Sequence, residues 1–342
     1  MAVSLEKKTE QGGKGRSPFT DALREFRRNK IAVAGTVFVV IEVLIALFAP
    51  VLTPYNFRTQ NVTTSYQKPL TGYDIVTTHL DECHWVGSAI EWGCTLYLAG
   101  SDSLGRDILS RVVYGSRVSL SVAIIAAAVS LAIGVFMGVL SGYVGGWADN
   151  LIMRVVDFLY AVPLLPLIIL VSVYFKVLGR SGEHTGFTGF ILGLNQLTGG
   201  LFLVFLVIGV LNWIGLARLA RGQVLSYKRK EFIEAAQAMG ASHSRIMFRH
   251  LLPNIIGPLL IAESLAIPGY IFLEAALSFI GLDVDPPTPS WGAMINEGYT
   301  GLKSNAHLVL VPGLALVFTT LAFNFMGDGL RDAFDPRQRG RH

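Results

Sequence analysis

Six long apolar stretches, at approximately 31–49, 118–141, 155–178, 201–217, 255–282 and 308–327, constrain this chain more than any other feature. Crossing about 30 Å of hydrocarbon takes roughly 20 apolar residues as a helix, because a helix satisfies its own backbone polar groups where no water can. The expected fold is therefore all-α and polytopic, with six transmembrane helices. The fourth stretch is the shortest, and the fifth is interrupted by Pro258, Pro268 and two acids. With 52% hydrophobic and only 15% charged residues, 342 residues hold too little polar material to cover a soluble globule. A net charge of +4 fits basic residues flanking apolar spans and needs no nucleic acid partner.

The first stretch is longer than a signal-peptide core and lacks a small-residue cleavage site, so it reads as an uncleaved anchor. Residues 1–30, with Gly12, Gly13 and Gly15 among scattered charges, are expected to form an unstructured tail. Six spans place both termini on one side. On that side fall twenty Lys and Arg, against eight on the other, five of them in the long 50–117 segment where the charge rule is weak. Both termini and the basic loop 218–254 are thus expected in the cytoplasm. The expected organisation is a tail (1–30), an anchor (31–49), an extracytoplasmic segment (50–116), a membrane domain (117–328) and a cytoplasmic end (329–342).

Within the outer segment, Cys83 and Cys94 lie where disulfides persist, and a bridge between them is the expectation, with two free thiols as the alternative. Near its end, Leu104, Ile108, Val112 and Val113 at helical spacing after Asp102 and Ser103 predict an interfacial helix leading into the second span.

No G-x-x-x-x-G-K-[ST] phosphate loop, H-E-x-x-H or G-x-S-x-G pattern occurs, and the seven histidines have no metal-ligand spacing. The chain is expected to be no enzyme and to hold neither metal nor cofactor. A membrane enzyme lacks a nucleophile, base or metal set, and a secondary transporter would leave the 234–253 spacing unexplained and often carries an internal repeat not evident here.

That spacing lies in the basic loop. Residues 230–253 read as helix, turn, helix, with Phe232, Ala235, Ala236 and Met239 on one face, Gly240 in the turn, Ser242 as the second cap and Pro253 at the next bend. On the residues alone, an ordinary amphipathic hairpin explains this as well as a docking element does.

Glu234-Ala235-Ala236, then Gly240, then Leu252-Pro253, resembles the EAA loop of ABC importer permeases, although that family often has Ile where this chain has His250. GSDSLGRDILSRVVYGSRVSL at 100–120, GDGLRDAFDPR at 327–337, and RRNK at 27–30 leading to Ala49-Pro50 and Pro54-Tyr55 resemble the C-type permease subunits of dipeptide, oligopeptide and nickel importers. The likeness covers the chain except the tail and about 58–99. It implies the type I ABC importer permease fold in a bacterial or archaeal plasma (inner) membrane. It also implies a homologous B-type permease partner, two ABC ATPase subunits that bind ATP and Mg, and an extracytoplasmic substrate-binding protein. The implied cargo is a dipeptide or oligopeptide, with nickel or another small solute as the alternative. The implied ATPase-coupling residues are Glu234, Ala235, Ala236, Gly240, Leu252 and Pro253.

Charges inside spans cost about 2.5–3.5 kcal/mol near the bilayer centre, so such groups face protein or a watery path. Glu263 and Glu274 are eleven residues apart, three helical turns, hence on one face. They are candidates either to line the path and attract a peptide amino terminus or to pair with a neighbour. Glu42 in the first span reads as a structural contact. Arg154 and Asp157, three apart, are expected to pair as a structural or gating element.

Overall fold

The computed structural model describes residues 18–53, 55–70, 85–86, 91–92, 97–180, 186, 189–190, 193, 195, 201–282 and 286–334. Cys83 and Cys94 lie outside the described residues.

Helix α1 (Pro18–Arg28) precedes α2 (Lys30–Leu47) and the short α3 (Ala49–Leu52). Beyond the two-residue antiparallel strands β1 (Trp85–Val86) and β2 (Glu91–Trp92), the rest of the described chain is helices and connections: α4 (Ile108–Val144), α5 (Gly146–Ala161), α6 (Leu164–Arg180), α7 (Leu201–Tyr227) and α8 (Glu231–Ala238). Then follow the continuous α9 (His243–Phe279), α10 (Trp291–Tyr299) and α11 (His307–Phe334). Among the described residues α2, α4, α9 and α11 are each long and apolar enough to span, and α5 with α6 makes a fifth span if taken together. Helix α7 covers the remaining predicted stretch.

Several expectations are corrected. The tail is helical over Pro18–Arg28, with Ala22 buried and the Phe26 ring close to Gly329 of α11. The third stretch is not one helix: its two halves meet at 91°. The cause is local. Pro163 has no N–H to give and forces the residue before it out of the helical region, and Val162 is extended at φ −81°, ψ 131°. Pro258 and Pro268, by contrast, sit inside an unbroken α9.

The predicted interfacial helix from Asp102 is also absent. Asp102 and Gly105 form a turn, closed by Gly105 N–H donating to the Asp102 carbonyl (3.0 Å). The helix starts at Ile108 with Asp107 as cap, its carboxylate accepting from Ser110 N–H at 2.7 Å. It then runs straight through residue 117 into the second span. Thirty-seven residues at 1.5 Å each make α4 about 55 Å long, so its first turns project beyond the hydrocarbon.

Helix α4 is the centre of the molecule and packs most extensively on α7. Gly134, Gly138 and Gly142 recur every fourth residue on the contact face, and a Cβ at Gly138 would stand 2.4 Å from the Ala217 carbonyl and 2.5 Å from the Ala220 methyl. In lipid, where apolar surface gains nothing by leaving water, this close approach of backbones is what holds two helices together. On its other faces α4 meets α9 and α2, while α11 closes the bundle against α2 and α9. Glu42 is buried between α2 and α11, its Oε1 accepting from Thr319 Oγ1 at 2.5 Å, the structural contact expected of it.

Candidate functional site

The 230–253 segment forms a helix, a turn and a second helix. Helix α8 ends at Met239, and Gly240 adopts φ +77°, the left-handed region that suits glycine. Ser242 then caps α9, its Oγ accepting from Arg245 N–H at 3.4 Å.

The faces of α8 differ from the expectation. Ile233 and Ala236 are its buried side, and Ile233 belongs to an apolar cluster with Tyr143 of α4, Val224 of α7 and Ile246 and Leu251 of α9. Burying Ile233 contributes about 1.5–3 kcal/mol. Ala236 therefore belongs with Ile233, not with Phe232, Ala235 and Met239. Those three, with Glu234 and Gly240, are exposed, Met239 at 81%. The three-residue spacing of 233 and 236 carried that signal in the sequence.

Pro253 does not bend the chain. Residues Ile246–Leu251 form a π-helical turn directly before it, with Leu252 N–H reaching back five residues to the Met247 carbonyl. Widening the helix here makes room for the proline ring, and Asn254 Nδ2 donates to the His250 carbonyl (2.7 Å). Leu252 is half-buried against the same apolar cluster that holds Ile233, and Pro253 is exposed. The second helix of the hairpin is thus the start of the fifth span itself.

Polar contacts knit this hairpin to the bundle. Tyr143 Oη and His243 Nδ1 share a hydrogen bond of 2.8 Å, and Lys228 Nζ donates to the Tyr143 carbonyl at 2.5 Å. Arg221 forks onto Asp149 with two bonds of 2.6 Å, and Ser141 donates to the same carboxylate. The ends of α4, α5, α7 and α9 beside this hairpin are joined by these groups, which the sequence shows only as scattered charges.

Arg154 and Asp157 do not pair. Asp157 Oδ1 instead accepts from Arg218 Nη2 of α7 at 2.6 Å, and the Arg218 guanidinium lies over the Tyr160 ring at 4.6 Å. The ring one turn beyond Asp157 holds the guanidinium in place, which no spacing within α5 reveals. Arg154 is exposed and has no ion pair among the described residues.

Glu263 and Glu274 do share a face, turned toward α4. Ser119 Oγ donates to Glu274 (2.8 Å) and Ser130 Oγ to Glu263 (3.4 Å), so an eleven-residue spacing on α4 answers the same spacing on the antiparallel α9. Their surroundings differ. Glu274, 1% exposed, also accepts from Ser278 (2.7 Å) and is enclosed. Glu263 accepts from Tyr270 Oη (2.8 Å) and lines a cavity of about 440 Å³ between α7 and α9 that also includes Asn212.

At the opposite end lies a cluster that the spacing of apolar residues did not disclose. Asp102 Oδ2 accepts from Arg106 Nε and Arg111 Nη1 (both 2.6 Å), and Glu297 of α10 accepts from Arg106 Nη2 (2.9 Å) and from Arg111 Nη1 and Nη2 (2.7 and 3.1 Å). The three side chains other than Glu297 are at most 8% exposed. Beside them, burial pushes the Asp107 carboxyl above its ordinary pKa, against the opposing pull of its bonds from Ser110.

Two family descriptions match this chain: "Binding-protein-dependent transport system inner membrane component" over residues 130–340, and "N-terminal TM domain of oligopeptide transport permease C" over 17–69. The oligopeptide transport system permease protein OppC of Escherichia coli K12 is 39% identical over 95% of this chain and 93% of its own length. OppC of Bacillus subtilis is 35% identical over 95% and 92%. The glutathione transport system permease protein GsiD of Shigella flexneri is 37% identical over 95% and 92%.

Proposed function

This chain belongs to the binding-protein-dependent transport system inner membrane components, the permeases of ABC importers, and on that premise we propose that it carries peptides and is driven through the exposed face of α8. The peptide cargo is supported by the relatives, whose names specify oligopeptide and glutathione transport. With no phosphate loop in its sequence, the chain takes its energy from separate ATPase subunits, which bind ATP and Mg. The assembly is a pair of homologous permeases, this chain and a B-type partner, above two ATPases and below an extracytoplasmic binding protein. It lies in a bacterial or archaeal plasma (inner) membrane with both termini in the cytoplasm, on the side where basic residues accumulate.

The observation that supports the reading is the division of α8. Ile233 sets it in an apolar cluster shared with α4, α7 and α9, while Glu234, Ala235, Met239 and Gly240 are exposed. A helix so placed passes a push on its outer face to three spans at once. ATP binding closes the ATPases, α8 moves with them, the permease pair opens outward, and hydrolysis resets it.

A bulky residue in place of Glu234 tests this. The Glu234→Trp chain is expected to insert and fold normally, while peptide uptake and stimulation of ATP hydrolysis fall by tenfold or more, the scale of about 1.4 kcal/mol in coupling. Wild-type uptake in that variant removes α8 from the coupling role. Purified from its own membrane, the tagged chain should bring with it a vanadate-sensitive ATPase carrying a phosphate loop.

A further inference from the structure

We infer that Glu263, Asn212 and Tyr270 form a receptor for a primary ammonium group of the transported solute. The inference rests on the reading of this chain as half of a peptide pathway, and it names a chemical group that the pathway recognises.

The cavity between α7 and α9 has about 440 Å³ and is open on one side. Gly215 and Gly269 stand on its two walls, and a Cβ at either would meet nothing within 4 Å. Its polar lining is Glu263, Asn212 and Tyr270, with one carboxylate among them. Glu263 is 6% exposed and has no cationic partner among the described residues. No Lys, Arg or His lines the cavity. Asn212 donates one of its two amide N–H groups to the Ile208 carbonyl (2.7 Å), and its Oδ1 is an acceptor, while Tyr270 spends its O–H on Glu263, which leaves lone pairs on Oη.

A carboxylate facing an open side within the membrane does not face lipid; it faces protein or a watery path. An ammonium group carries three donors and one positive charge, and the cavity offers a carboxylate, an amide oxygen and a phenol oxygen. Its volume lies at the small end for ligand sites, enough for the first residue of a peptide rather than the whole. Glu274 on this same helix also accepts at both oxygens, as Glu263 does from Tyr270 and Ser130, but Glu274 is enclosed while Glu263 lines the cavity.

The test uses the intact importer, reconstituted with the subunits that accompany this chain. Maximal uptake is compared for a tripeptide with a free amino terminus and for its des-amino analogue, at concentrations that saturate the binding protein so that its own selectivity drops out. The wild type is expected to move the free peptide about tenfold faster, the scale of one charge-assisted contact. Glu263→Gln should bring the free peptide down to the rate of the analogue and leave the analogue unchanged. An equal loss for both overturns the inference and marks Glu263 as the partner of a cation on the second permease. No loss for either overturns it as well. Labelling of Gly215→Cys by a small charged thiol reagent during turnover separates the two readings. A labelled site with no amino-terminal discrimination removes only the ammonium receptor, whereas an unreactive site removes this face from the pathway altogether.

Discussion

The two ends of α4 are built on opposite electrostatic plans. At the end that the distribution of basic residues assigns to the outside, Asp102, Arg106, Arg111 and Glu297 bind the loop before α4 to α10 through ions that are almost wholly buried, apart from Glu297. At the end that the distribution of basic residues assigns to the inside, the ion pairs are partly or largely exposed, Arg218 and Asp157 at 42% and 68%, and Phe232 and Met239 on the hairpin are exposed. Desolvated charges hold a geometry because breaking them leaves an unpaired buried ion, while solvated ones are exchanged at little cost. The outer end is thus clasped by buried ions, and the inner end is held by ions that water reaches.

The sharpest way to break this contrast is at the clasp. Arg111→Ala removes one of the two cations that Asp102 and Glu297 share and leaves Arg106 to hold both, and a loss of about 2–3 kcal/mol is expected, read as a large fall in thermal stability in detergent. A loss under about 1 kcal/mol would mean that the outer cluster is no more than a surface pair. Next comes the turn after α8. Gly240→Val has space for its side chain but must hold φ +77°, at about 1–2 kcal/mol, so a folded protein with uncoupled ATP hydrolysis is the expected result. Unfolding on the scale of the clasp variant would show the inner end to be equally rigid. Smallest is Asp157→Asn, expected to change stability by less than about 1 kcal/mol and to leave uptake within twofold. A marked loss of uptake there would make the Arg218 contact part of the gate.

Much of the site was legible because it is local. The turn at Gly240 and the cap at Ser242 depend on residues within a few positions, and the common face of Glu263 and Glu274 follows from helix geometry alone. What depends on a second helix was not legible. The covered side of α8 is decided by Val224, Tyr143 and Ile246 from other helices, so residue spacing along α8 groups Ala236 with the exposed residues. The nearest cation to Asp157 in sequence is Arg154, and its partner Arg218 arrives from α7 instead.

The sequence by itself determined that the chain spans a membrane in helices, since stretches so apolar have no other way to satisfy their backbone in lipid. It also determined the family, through motifs whose residues are neighbours along the chain. Only the tertiary structure decided where the third stretch bends into two helices, which of two equally spaced acids stays open to a cavity, and which charges are buried together. Each of those outcomes is a matter of what packs on the other side of a helix, and the spacing of residues along one helix carries no record of its neighbour.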